Sequence, residues 1–179
     1  VPHTERWQSI AGAPFRRLDW LYDRESEGND CLGLRLVEAD ISLQAADVLG
    51  YGPAIDRYAA ALSEPLAACS IFGMAAEDEL VLLRGLANFR LIQAQALSGD
   101  ADAAQAALDE LAQEQPNGPY TEAAQQWLAA YAADGDPGAA CDAVQPIFDE
   151  DDNLWLITDQ FGFNHPALAA HQLCYRPVQ

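Results

Sequence analysis

Apolar positions recur every three or four residues over most of this chain, a period that predicts helices rather than strands. Between 31 and 49, Leu32, Leu36, Ala39, Leu43 and Ala46 step alternately by four and three, while Leu34, Val37, Ile41 and Val48 cover much of the opposite side. A helix apolar on two faces is expected to be central. The residues 31–37 also alternate as a strand would, but the helical period persists through the whole stretch and outweighs them. Gly50-Tyr51-Gly52-Pro53 closes this helix and opens another, with proline at a position where its missing N–H does no harm and Ile55, Tyr58, Ala59 and Leu62 in one stripe. Pro65 begins a short segment that Gly73 ends. A long helix is predicted from Glu77 to Ser98. Glu77, Asp78 and Glu79 place negative charge in its first turn, Leu80, Leu83, Leu86, Ala87, Arg90, Leu91, Ala94 and Leu97 keep the period, and Gly99 stops it. Residues 1–29 read as an extension: a polar tail, a short helix started by Pro14 with Phe15, Leu18, Leu21 and Tyr22 on one face, and a loop whose Asp30 can cap the next helix.

Downstream the pattern repeats. Gly99-Asp100 followed by Ala104 returns as Gly135-Asp136 followed by Ala140, 36 residues later, the length of one helix-turn-helix hairpin. Leu91, Gly99, Asp100, Ala104, Leu108, Leu111 and Pro116 stand at the spacing of a tetratricopeptide repeat (TPR), and Trp127, Tyr131, Gly135, Asp136, Ala140, Val144 and Ile147 repeat it. Over 80–152 the chain therefore resembles two hairpins of that family. It departs from the family at Ile92 and Leu128, where a small residue is usual, and at Asp152, which replaces the closing proline. The resemblance implies an all-α fold of antiparallel helical hairpins stacked as a short TPR-like right-handed α-solenoid, of seven to nine helices. Residues 31–75 would supply upstream helices and 153–179 a C-terminal cap, within one all-helical domain over 1–179, because a single hairpin cannot bury its own face. In that family the first helices line a concave groove for a peptide or partner helix. The corresponding groove residues are Leu86, Phe89, Gln93, Glu122, Gln125 and Ala129. The competing reading makes Leu86 and Phe89 core, covered by the upstream helices.

Charge narrows the partners. The chain carries 28 acidic against nine basic residues, all arginine, for a net charge of −19. Residues 91–175 hold 14 acids and no Lys or Arg, whereas 1–90 hold 14 acids and eight arginines. Nucleic acid and anionic membranes are poor partners for such a surface. A solvated, self-repelling exterior is the plainest reading. A groove beside it would suit a neutral or cationic segment, since Arg90 is the one cation near and no basic clamp for a carboxylate is present.

Cys31, Cys69, Cys141 and Cys174 are widely spread, without a CxxC pair. An even count in a lysine-free acidic chain fits two disulfides outside the cytoplasm. Three pairings are possible; Cys31 with Cys69 and Cys141 with Cys174 is favoured, because sequence-local pairs are neighbours in stacked helices. Four buried free thiols in a cytosolic helical core are the alternative. No apolar run is long enough to span a membrane, and a start at Val1 reads as a processed or trimmed piece.

Candidate chemistry is sparse. The acidic run 149–153 has Leu154 where a calcium loop needs glycine and Gln160 where it needs glutamate, so it is no EF-hand. His165, His171 and Cys174 could gather zinc with Cys141, in competition with the second disulfide. Neither a nucleophile elbow nor a phosphate loop occurs. The run 161–168 echoes 49–55 as an aromatic-glycine turn before a proline-started helix. The expectation is a non-enzymatic protein-interaction or scaffold domain of a larger extracytoplasmic bacterial protein, without a cofactor. A calcium or zinc domain, or a small hydrolase or cell-wall-acting enzyme, are the alternatives.

Overall fold

The computed structural model describes residues 30–69, 74–150 and 174. Among these are seven α-helices and no strand: α1 (Leu32–Gln44), α2 (Ala46–Leu49), α3 (Gly52–Ser63), α4 (Ala76–Leu97), α5 (Ala101–Glu114), α6 (Pro119–Asp134) and α7 (Pro137–Glu150). The predicted N-terminal helix, the C-terminal cap apart from Cys174, and the echo at 161–168 lie outside the described residues.

The longest helix is also the most enclosed. From Gly85 to Ala94 every residue of α4 is buried, because α4 packs against α1 and α3 on one side and against α5 and α6 on the other. α1 packs chiefly on α3, and α6 on α7. One apolar core runs through all of these helices except the single turn of α2. Over α1 the 31–49 stretch is enclosed as its two apolar faces imply, with Leu32, Leu36, Ala39 and Leu43 of one set and Leu34 and Val37 of the other all buried.

The two Gly-Asp pairs form the hairpin turns. Gly99, at φ 90°, follows the end of α4, and its N–H reaches Ala96 O while Asp100 N–H reaches Gln95 O, both at 3.0 Å. That pair of hydrogen bonds closes the helix with a left-handed residue, a conformation glycine adopts at low cost. The Asp100 carboxylate then accepts the Ala103 N–H at 3.0 Å as the N-cap of α5. Gly135, also left-handed at φ 68°, and Asp136, whose carboxylate accepts the Gly138 N–H at 2.8 Å, repeat the arrangement between α6 and α7. Ala104 and Ala140 are fully buried, as small residues at a close helix approach should be.

Two upstream readings need correction. The stretch 31–49 is not one helix: it breaks at Ala45 into α1 and α2, and the interruption shifts the phase of the last turn. Val48, read as apolar helix face, is 87% exposed in consequence, beside an exposed Leu49. In α3, burial falls on Ala54, Tyr58 and Ala61, with Ile55 and Leu62 half-buried and Ala59 left outside.

Both favoured disulfides are present. Cys31–Cys69 has a Cα–Cα distance of 5.2 Å and ties the start of α1 to the non-helical segment before α4; Cys141–Cys174, at 4.9 Å, ties α7 to the C-terminal region. Each separation falls inside the range a disulfide requires. The first is knitted into a network: Leu32 N–H donates to Ala67 O at 3.0 Å, Gly33 N–H to Cys69 Sγ at 3.1 Å, and Cys69 N–H to Glu79 Oε1 at 2.6 Å. Glu79 therefore does more than complement the α4 dipole, since its buried carboxylate holds the bridge segment in place.

Candidate functional site

The six groove positions divide into two groups. Leu86, Phe89 and Gln93 on α4 are buried; Glu122, Gln125 and Ala129 on α6 are exposed. Phe89 faces the interior of the hairpin pair, its ring centroid 6.2 Å from Tyr120 and 6.1 Å from Phe148, which are themselves 6.0 Å apart. These tilted and edge-on rings form a three-way aromatic joint between α4, α6 and α7. Gln93 is covered from another direction: its Nε2 donates to Cys174 Sγ at 3.5 Å, so the second disulfide sits on this part of α4.

On α6 the exposed residues recur at helical spacing, with Glu122, Gln125, Gln126 and Ala129 continuing to Ala132 and Ala133. The opposite face of the same helix carries fully buried Tyr120, Ala123, Ala124 and Trp127. Trp127 stacks on Tyr131 with centroids 5.0 Å apart and planes at 14°, while its Nε1 is enclosed without a hydrogen-bond partner among the described residues. Tyr51, at the start of α3, is partly buried, and its phenol is pushed up in pKa by that burial and then by Asp47 and Tyr131.

The acids of α5 to α7 lie outside. Asp102, Asp109, Glu110, Glu114, Glu122, Asp134, Asp142, Asp149 and Glu150 are all exposed, and Arg84 of α4 reaches one of them, Glu114. Arg84 binds Glu114 through Nε at 2.7 Å and Nη2 at 3.4 Å and donates from Nη1 to Leu62 O at 3.2 Å, so it joins α3, α4 and α5. Among the described residues no group of His, Cys, Asp and Glu is arranged to hold a metal ion. The Cys141–Cys174 bridge engages both thiols that a zinc site would need. Its other proposed ligands, His165 and His171, lie outside the described residues, as does most of the acidic run 149–153.

Sequence periodicity did not single out a second arrangement. Asp40 of α1, Tyr58 of α3 and Arg90 of α4 are at most 2% exposed. The Tyr58 hydroxyl donates to Asp40 Oδ1 in a short hydrogen bond. Burial drives the Asp40 carboxyl up to about 6, while the field of Arg90 and the Tyr58 hydrogen bond oppose that rise. Arg90 kept the apolar period of α4 in sequence, and only the packing of three helices brings it near an acid 50 positions earlier.

No described helix is long and apolar enough to cross a membrane, and the two disulfides suit an oxidising compartment. Compared with family models, curated proteins and solved structures, the chain matches none.

Proposed function

We propose that this chain is a protein-interaction or scaffold domain, non-enzymatic, that belongs to a larger extracytoplasmic bacterial protein and uses two TPR-like hairpins, α4–α5 and α6–α7, in a short right-handed solenoid. The pairing of helices supports the solenoid reading: α4 packs on α5, α6 packs on α7, and α6 packs on both helices of the preceding hairpin. The observation that carries the binding reading is the exposed α6 strip of Glu122, Gln125 and Ala129, which stands beside an acidic surface without basic residues on α5 to α7. Such a strip offers carboxylate, amide and small apolar contacts to one face of a neutral or cationic helix or extended peptide. Complementary charge would speed encounter and exclude acidic partners more than it would add affinity.

Selection from a peptide library that contains cationic, neutral and acidic amphipathic helices tests this. Neutral or cationic sequences should be enriched, and Ala129→Arg should abolish their binding while the protein's circular dichroism and melting temperature stay unchanged. Enrichment of acidic sequences, or binding indifferent to Ala129→Arg and Glu122→Lys, would refute the assignment.

A further inference from the structure

The two disulfides differ in how far solvent reaches them. Cys31 and Cys69 are both buried, at 3% and 0% exposure. In the second bridge Cys174 is buried at 4%, whereas Cys141 is partly exposed and its neighbour on α7, Asp142, is exposed. Hydrogen bonding does not separate the bridges, because each has a buried sulfur that accepts a bond: Cys69 Sγ from the Gly33 N–H at 3.1 Å, and Cys174 Sγ from Gln93 Nε2 at 3.5 Å. Access does separate them. A thiolate exchanges with a disulfide by direct attack on one sulfur, so the reaction starts at a sulfur the reagent can reach.

We propose that Cys141 is a site of thiol–disulfide exchange with a neutral or cationic dithiol, Cys174 being the leaving group, and that Cys31–Cys69 is a closed structural bridge. A thiolate of the reagent forms a new S–S bond at Cys141 Sγ, the Cys141–Cys174 bond breaks, and its electron pair leaves on Cys174 Sγ. Gln93 Nε2 already donates to that sulfur and so stabilises the departing thiolate. The second thiol of the reagent then displaces Cys141, the two protons of the dithiol end on the two cysteines, and the dithiol is oxidised to its disulfide. Attack in the other direction is disfavoured twice, since Cys174 is enclosed and a thiolate on Cys141 would form beside the Asp142 carboxylate. Charge selects the reagent. Cys141 lies in the stretch 91–175, which holds 14 acids and no Lys or Arg, and such a surface repels an anionic thiol. The site is separate from the α6 strip and does not depend on the peptide-binding role.

The test exposes folded, fully oxidised protein to dithiothreitol, quenches it at intervals with N-ethylmaleimide and maps the labelled cysteines by mass spectrometry. Cys141 and Cys174 should be labelled about tenfold faster than Cys31 and Cys69. Cysteamine, a cationic monothiol, should leave its mixed disulfide on Cys141 and the maleimide on Cys174. Corrected for thiolate fraction, it should react about threefold faster than anionic mercaptoethanesulfonate, a ratio that shrinks as salt is added. Folded Gln93→Met, which lacks the donor, should open about threefold more slowly. Simultaneous opening of the two bridges, or earlier opening of Cys31–Cys69, would overturn the proposal in the wild-type protein alone. A mixed disulfide found on Cys174 would overturn the direction of attack, equal rates for the two charged thiols would overturn the charge selection, and an unaltered rate in Gln93→Met would remove Gln93 from the step.

Discussion

The upstream layer, α1 to α3 against α4, and the downstream hairpins, α4–α5 and α6–α7, solve the placement of charge in opposite ways. Upstream, Asp40, Glu79 and Arg90 are buried among apolar side chains, and a disulfide with its hydrogen bonds closes the end of the layer. Downstream, alanine and aromatic residues fill the interior, while the carboxylates of α5 to α7 stand in solvent. A buried charge demands particular neighbours and so specifies one packing, whereas small side chains allow close helix approach and demand little. The upstream layer should therefore be the more sensitive to cross-links and protonation, and the hairpins to side-chain volume.

The largest effect should come from the cross-links. Cys31→Ala with Cys69→Ala opens a bridge of sequence separation 38, and Cys141→Ala with Cys174→Ala one of 33. The chain-entropy argument gives each about 4 kcal/mol. The upstream pair should cost more than the downstream pair, because it also frees the segment whose Cys69 N–H engages buried Glu79. Urea denaturation of the two double variants measures the order, and equal losses would remove the distinction drawn between the layers.

Volume comes next. Phe89→Ala empties the aromatic joint with Tyr120 and Phe148 and should destabilise the fold by about 3 to 5 kcal/mol. Gln125→Ala, on the exposed strip, should fall within about 0.5 kcal/mol of wild type. Denaturation curves of the pair show whether the α4 and α6 groove positions differ in role as they do in burial.

Protonation should distinguish the upstream layer further. The Asp40 pKa rises from 3.8 to about 6 on folding, so between these values the folded state binds a proton that the unfolded state releases. Stability from this group accordingly grows as pH falls through 6 and is complete below the unfolded value. At neutral pH its ionisation costs the fold about 3 kcal/mol relative to acid conditions. Asp40→Asn should flatten that part of the pH profile, whereas Glu110→Gln, on an exposed face of α5, should leave it unaltered. Relief of the net charge acts in the same direction in all three proteins, so the difference between profiles is the quantity to read.

These contrasts show where sequence was a sufficient guide. The hairpin turns were legible because their signals are local: a left-handed glycine and a capping aspartate lie within two residues of each other at Gly99-Asp100 and Gly135-Asp136. The disulfide pairing was legible because hairpins place sequence neighbours side by side. Val48 was misread because period alone does not register a break at Ala45. The inward face of Phe89 and the approach of Asp40 to Arg90 depend on how α4 is flanked by four helices, which no window of one helix contains. Arg90 itself kept the helical period in sequence, and its burial at 1% exposure follows from the packing of α4 rather than from its own window.

A smaller loss is expected at Gly85, where α4 packs against Tyr120 of α6. A Cβ there would lie 2.8 Å from Tyr120 Cδ2, 3.1 Å from Tyr120 Cβ and 3.3 Å from Gln115 Oε1. Alanine is the better helix former by about 1 kcal/mol, so an open site would gain stability from Gly85→Ala. Here the ring that must move is fully buried and held against Phe89 and Phe148, and overpacking of this kind costs about 1 to 3 kcal/mol. The net expectation is a loss of about 1 kcal/mol, read as a lower urea midpoint. Tyr120→Leu in the Gly85→Ala background decides the cause: if the ring is the obstacle, the alanine should cost less in the leucine background than in wild type. An equal cost in both would place the constraint in the α4 backbone and would show that the aromatic joint tolerates the very volume changes to which the hairpins are argued to be sensitive.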